Sequence, residues 1–416
     1  MQPSFLIMSL FYNGLHKAWL RLPRSARQAA FYRLTSLTAP RPDISAPGGW
    51  PVGVAGLLST ATGLGEGARL NLAALEAMGA DPAAFDISPA FDQCDLPGVP
   101  PVRRQLQPGT GGTLLVHVNA PYLPFALRAL GGDLLRGRRI VGYWAWELQR
   151  LPANWRFGFP FVHEVWVPSR FTRDAVASAT GLPVHVVPHP LPLVTSAGLP
   201  SRHDFGLPTD ALIVLGILHL GSSFARKNPL ATVAAFRRAF GDDPSRILVL
   251  KLVDPGTAPW TRDRLRDAIG DAGNIRVIDR RMSRAELNGL IRATDIVVSL
   301  HRSEGFGLVP AEAMQLGKPV IATGWSGNLD FMNERNSALV SYRLVPAVDS
   351  QGTYDHGDQN WADADIDHAA AWLRRLAEMP DQRAAMGAAA ADIRRLFGLE
   401  TFSRSVSSLI GGGLRG

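Results

Sequence analysis

Asp295-Ile296-Val297-Val298-Ser299-Leu300 leads, three residues on, into Ser303-Glu304-Gly305-Phe306-Gly307-Leu308-Val309-Pro310-Ala311-Glu312-Ala313-Met314. The first run is apolar enough to fill a parallel sheet covered on both faces. Gly305 and Gly307 then break it and let backbone N–H groups approach an anion. A helix expected from near Pro310 aims its positive end at the same point. The unit reads as a cradle for a diphosphate. Glu304 before the turn and Glu312 within the helix flank one ligand and can accept hydrogen bonds from hydroxyl groups, which sugars and riboses supply.

Two glutamates separated by seven residues around Gly-Phe-Gly continue into Glu312-Ala313-Met314, Gly317 and Pro319-Val320-Ile321-Ala322, with Gly324-Trp325-Ser326-Gly327-Asn328 beyond. This run resembles the retaining glycosyltransferases of the GT-B fold, specifically family 4. The resemblance is strongest over residues 295–335. It implies two doubly wound Rossmann-like domains facing a cleft and a nucleotide-sugar donor. Glu312 would hold the ribose. Glu304 and the backbone of Phe306, Gly307 and Leu308 would hold the donor sugar and diphosphate. In Leu220-Gly221-Ser222-Ser223-Phe224-Ala225-Arg226-Lys227, Lys227 matches the family's phosphate lysine. The arginine usual a few residues earlier is absent, which leaves Arg226 or the hydroxyl of Ser222 to do that work.

Composition sets the frame. A chain of 416 residues with 46% hydrophobic content exceeds what one core usually serves, so two domains are expected. A single cysteine, Cys94, excludes a disulfide framework and a Cys-rich zinc site and suits the cytoplasm. No run of 18–20 apolar residues suggests a spanning helix, and the apolar start has neither the basic region nor the cleavage site of a signal peptide. Much of the formal charge of +7 is concentrated near the start, where Lys17, Arg21, Arg24, Arg27, Arg33 and Arg41 face Asp43 alone. Lys17, Arg21 and Arg24 share one helical face, and Leu15, Trp19 and Leu22 another. The arm reads either as an interfacial helix for anionic lipid at the inner face of the membrane or as a helix packed on the protein's own surface. Pro23 interrupts it. No nucleic-acid reader motif accompanies the charge.

Strand and helix signals alternate along the chain. Val52–Leu57, Thr113–Val118, Arg139–Tyr143, Glu164–Val167 and Val184–Val187 precede a region rich in Pro, Ser and Gly. The pattern then restarts with Leu212–Leu218, Arg246–Lys251, Ile275–Ile278, Asp295–Leu300 and Pro319–Ala322. The expected division is a basic arm (1–48), an acceptor-side domain (49–195), a linker (196–208), a donor domain (209–395) and a C-terminal helix (396–416) with a crossing back onto the first domain as its expected course. Ligands in such folds bind outside the carboxyl ends of the strands. Gly63-Leu64-Gly65-Glu66-Gly67-Ala68 fits a dinucleotide pattern, but it stands away from its strand, and the candidate acids Asp81 and Asp86 fall in what reads as loop. The family resemblance implies instead that Gly63 and Gly65 touch donor phosphates or acceptor from the opposite domain.

His117 and Asn119 end one strand, and Glu147 follows another. By the resemblance, His117 lies near the transferred sugar or one residue out of register, facing the other side. Asn119 and Glu147 are acceptor-side candidates, and Trp144, Trp146 and Trp155 either stack on sugars or pack. Asp363-Ala364-Asp365 has metal-motif spacing but precedes an alanine-rich helix and reads as its cap. No metal or cofactor is expected. Retention is carried by the resemblance: no nucleophile for double displacement is evident, so same-face attack assisted by the leaving phosphate is the working mechanism. Tyr143–Leu148 and Val165–Ser169 are similar to bacterial enzymes of exopolysaccharide or lipopolysaccharide synthesis, which implies a glycan or polyprenyl-diphosphate-linked acceptor. A sugar-nucleotide epimerase and a non-catalytic glycan-binding or partner-binding relative are the rival readings.

Overall fold

The computed structural model describes residues 23–94, 96, 106, 111–195, 198–253, 256 and 258–411. The lipid-facing stripe expected around Leu15–Leu22 lies outside them. The first sheet contains β1 (Val52–Gly56), β2 (Ala83–Asp86), β3 (Thr113–His117), β4 (Arg139–Tyr143), β5 (Glu164–Val167) and β6 (Val184–Val186). Its order is β2-β1-β3-β4-β5-β6, and every pair is parallel. The second sheet contains β7 (Leu212–His219), β8 (Arg246–Val253), β9 (Ile275–Ile278), β10 (Ile296–Ser299), β11 (Val320–Thr323) and β12 (Ala338–Val340). Its order β12-β11-β10-β7-β8-β9 is also wholly parallel. In each sheet the first strand lies inside the sheet, β1 next to one edge and β7 near the middle, and later strands are added on both its sides, leaving a crevice where the winding reverses. These are two Rossmann-like domains.

Among the described residues, four strands are additional to those expected. β2 makes Asp86 a strand end, where a dinucleotide fold would want its acid. Its carboxylate is spent elsewhere, accepting from Leu58 N at 3.1 Å and from the hydroxyls of Ser59 at 2.5 Å and Ser88 at 2.6 Å. It pins the turn after β1. β12 extends the second sheet. β13 (Tyr342–Pro346) and β14 (Asn360–Ala364) form an antiparallel hairpin outside both sheets. Ala347, Tyr354 and Trp361 from the hairpin pack in a core cluster of the first domain, so this donor-domain excursion is anchored across the cleft.

The glycine segment is not a loop. A helix spans Gly63–Ala77, with the Thr62 hydroxyl accepting from Gly65 N at 3.2 Å. A cap of this kind offsets the poor helix propensity of three glycines. At the start of the described chain, helix Arg24–Thr38 begins directly after Pro23 and packs on the protein itself, with the Tyr32 ring 5.4 Å from that of Tyr122. At the other end, Phe402, Val406 and Ile410 of helix Leu399–Ile410 join Val52, Leu72 and Leu75 in the first domain's core. Each such burial contributes about 1.5–3 kcal/mol.

Candidate active site

A cavity of about 690 Å³ lies between the carboxyl ends of the two sheets. On the donor side, Gly307 adopts φ 96°, a left-handed conformation that favours glycine, and opens helix Leu308–Gln315. Its N-terminus faces the cavity beside Lys227 and Glu304. Lys227 Nζ lies 2.5 Å from Glu304 Oε1, and Arg226 Nη1 lies 3.2 Å from Oε2. Burial works to raise the Glu304 carboxyl, yet Lys227, Arg226 and His301 together hold it at about 2. For Lys227 burial prevails and lowers its affinity for the proton, despite Glu304. The two cations face Glu304 directly, with Glu147 also attracting both from the acceptor side, and they stand beside a helix N-terminus, which is suited to an anion.

Ser223 and Asn228, which flank this turn, are non-glycine residues at φ 70° and 51°. The Ser223 hydroxyl caps Arg226 N at 3.2 Å and donates to buried Asp349 at 2.9 Å. Arg226 spends Nη1 on the Ser303 carbonyl and Nη2 on that of Ser222. The Ser222 hydroxyl gives its proton to the His219 carbonyl at 3.0 Å. That proton is therefore not free to replace the missing arginine.

Glu312 is buried and bonded through Oε1 to Arg284 Nη1 at 2.6 Å. Burial pushes its carboxyl up even with Arg284 facing it, and Glu66 adds in the same direction. Arg284 also pairs with Glu66 from the opposite domain, and Glu66 is held by Arg69 at 2.6 Å. A carboxylate–arginine–carboxylate chain thus crosses the cleft.

On the acceptor side, Gly63, Asn119 and Glu147 line the cavity. The Asn119 Oδ1 accepts from Ala145 N at 3.0 Å. Glu147 accepts from the Tyr354 hydroxyl at 2.8 Å. Gly65 does not line the cavity: a Cβ there would lie 2.5 Å from the Leu57 carbonyl, so its role is close packing. His117 is also outside it. Its side chain points to the face beneath helix Gly63–Ala77, the ring stacks on Tyr143 at 4.3 Å, and burial lowers its pKa well below the usual histidine range. Trp144, Trp146 and Trp155 pack on one another at 5.3–5.7 Å. Asp365 caps helix Ile366–Glu378, while Asp363 is taken by Arg302 at 2.9 Å.

The sequence pattern of the family described as Family 4 Glycosyltransferase in conflict systems matches residues 200–409. The chain belongs to glycosyltransferase family 4. A D-inositol 3-phosphate glycosyltransferase of Kineococcus radiotolerans is 31% identical over 245 residues, 54% of this chain and 52% of its own. One of Corynebacterium glutamicum is 29% identical over 213 residues, covering 50% and 45%. The chain spans about half the length of the curated relatives it matches. A glycosyltransferase of Rickettsia africae superposes with TM-score 0.61 at 13% identity, over 86% of this chain and 97% of that one. Anabaena HepE, solved with UDP and glucose, gives 0.60 at 15% identity over 86% and 98%. These neighbours show the GT-B fold.

Several cavity residues of this family 4 chain escape a reading by motif. Arg284 follows Ser283, whose Ser-x-x-Glu capping box opens its helix, and this signal marks a strand-to-helix junction at the cleft. His189, in the cavity wall after β6, bonds Tyr143 at 3.2 Å and is lowered to about 4 by burial. Tyr354 comes from the hairpin, which carries no sequence signal of its own.

Proposed function

We propose that the protein transfers a sugar from a nucleotide-sugar donor to a hydroxyl of a glycan or lipid-linked glycan, with retention and without a metal ion. The observation that carries this reading is the Arg226–Lys227–Glu304 cluster beside the N-terminus of helix Leu308–Gln315, with Glu312 one turn further on. The diphosphate sits at the helix N-terminus, and a ribose hydroxyl donates to the free oxygen of Glu312. The bond from the anomeric carbon to the outer phosphate oxygen breaks, and its electron pair leaves with that oxygen. The acceptor oxygen bonds the same face of the carbon, and its proton passes to the departing phosphate. Lys227, Arg226 and backbone N–H groups meet the charge that grows there. Family membership supports the nucleotide-sugar donor. Retention and a glycan acceptor rest on the sequence resemblance, and an acceptor presented at an anionic membrane surface rests on the sequence of the arm before Pro23, since helix Arg24–Thr38 packs on the protein itself. Metal independence rests on Asp363 and Asp365 having other partners.

The test is titration calorimetry in EDTA with UDP, GDP, ADP and dTDP, for wild type and Glu312→Ala. Tight binding of one nucleotide that weakens at least about tenfold in the variant supports the donor site. No binding of any nucleotide sinks the reading. Isomerisation of a sugar nucleotide without acceptor would favour an epimerase, and an inverted product linkage would overturn retention.

A further inference from the structure

β8 is buried through its central six residues, yet it contains Lys251 at 2% exposure. Leu248, Leu250 and Leu252 turn to one side of the sheet and join its core, while Ile247 and Val249 join the core on the other. Lys251 continues the row of Ile247 and Val249 to the carboxyl end of the strand, where it and Val253 line the cavity. An ammonium there is costly unless its protons are used. It has three to donate and nothing with which to accept. The Leu252 carbonyl takes one, at 2.5 Å. Asp279, the carboxylate that attracts it, is already bonded to Arg262 at 2.6 Å.

The sheet order says which part of a ligand meets Lys251. This step rests on the donor site proposed above. The diphosphate lies over the crevice between β10 and β7, at Gly307 and Lys227. The ribose lies at Glu312, which Arg284 reaches from the helix after β9. The next part of a nucleotide is its base, and beyond β7 the cavity wall is made by β8 and the segment after β9, with Lys251, Val253 and Met282.

We infer that Lys251 reads the base of the donor, favouring bases that present a ring carbonyl oxygen on the edge away from the sugar over bases that present an amino group there. Uracil, thymine and guanine have such an oxygen; adenine and cytosine carry an amine in its place. A donor-only cation rewards the oxygen and leaves the amine facing another donor.

The full chain is titrated with UDP, dTDP, GDP, ADP, CDP and inorganic pyrophosphate, as wild type and as Lys251→Met, which keeps length and removes the protons. The expected wild-type result is that one of UDP, dTDP or GDP binds at least about tenfold tighter than ADP and CDP. Lys251→Met should erase that margin and leave pyrophosphate unchanged. A wild-type preference for ADP or CDP overturns the inference, and this ranking stands even where the variant fails to fold. Equal weakening of every ligand, pyrophosphate included, also overturns it, because the lysine would then serve the phosphates. Glu312-dependent binding whose base preference survives Lys251→Met overturns this inference alone, whereas no nucleotide binding by wild type overturns the donor site with it.

Discussion

Glu304 and His189 place two charge effects in different pH windows. Glu304 is held at about 2 against an ordinary 4.5, so the unfolded chain binds its proton first as pH falls. Its contribution to stability is complete above about 4.5 and is lost as pH drops towards about 2. Glu304→Gln should cost on the order of 3 kcal/mol at pH 7 and flatten stability across that window, as read by urea unfolding at a series of pH values. His189 is held at about 4 against 6.5 because burial resists its charging. The unfolded state takes that proton first, so stability falls between about 6.5 and about 4. His189→Gln should reduce the slope there; an unchanged slope would assign it to other groups. Glu304 and Glu312 were legible in the sequence because one local motif sets their spacing, and Lys227 because it stands in a short segment of its own after β7. His117 was not placed by its motif, since a shift of one residue along a strand exchanges the two faces of the sheet.

Helix Gly63–Ala77 shows why glycines with one sequence pattern have different uses. A Cβ on Gly65 would meet the Leu57 carbonyl at 2.5 Å, one on Gly67 would meet His189 Cε1 at 2.5 Å, and one on Gly63 would meet nothing within 4 Å. Gly65→Ala is therefore expected to destabilise by about 1–3 kcal/mol. Gly63→Ala should hold or slightly raise Tm while weakening nucleotide binding if donor phosphates approach it. Thermal unfolding and titration of both variants separate these effects, and a Gly63→Ala variant that unfolds early would refute the contrast. At this scale the apolar strands were readable: β7, β8 and β10 carry their burial in their composition. β2, of the same length as β10, was not, because the alanines of Ala83-Ala84-Phe85-Asp86 do not favour a strand. The β13–β14 hairpin was hidden because every residue of β13 is partly or fully exposed, so no alternation marks it, and its meaning comes from contacts in the other domain.

The two domains meet through polar struts as well as through shared core. On one side the hairpin joins Gln359 to Arg150 N at 2.8 Å and Tyr354 to Glu147 at 2.8 Å. On the other, Arg284 stands between Glu66 and Glu312. Removing Arg284 leaves two carboxylates facing each other from opposite domains, with Glu312 already pushed up by burial and by Glu66. The Glu312 carboxyl then rises further, and less of it is ionised near neutrality. A ribose hydroxyl donates best to the ionised form, so Arg284→Met should bind nucleotide more weakly at pH 7 and recover as pH rises. Wild type, with Arg284 in place, should vary less over the same range. Where Glu312 remains charged in the variant, repulsion should open the cleft, giving a larger radius of gyration in small-angle scattering at high pH without nucleotide. Recovery of binding with pH is the decisive readout, because a merely structural strut would lower affinity equally at every pH.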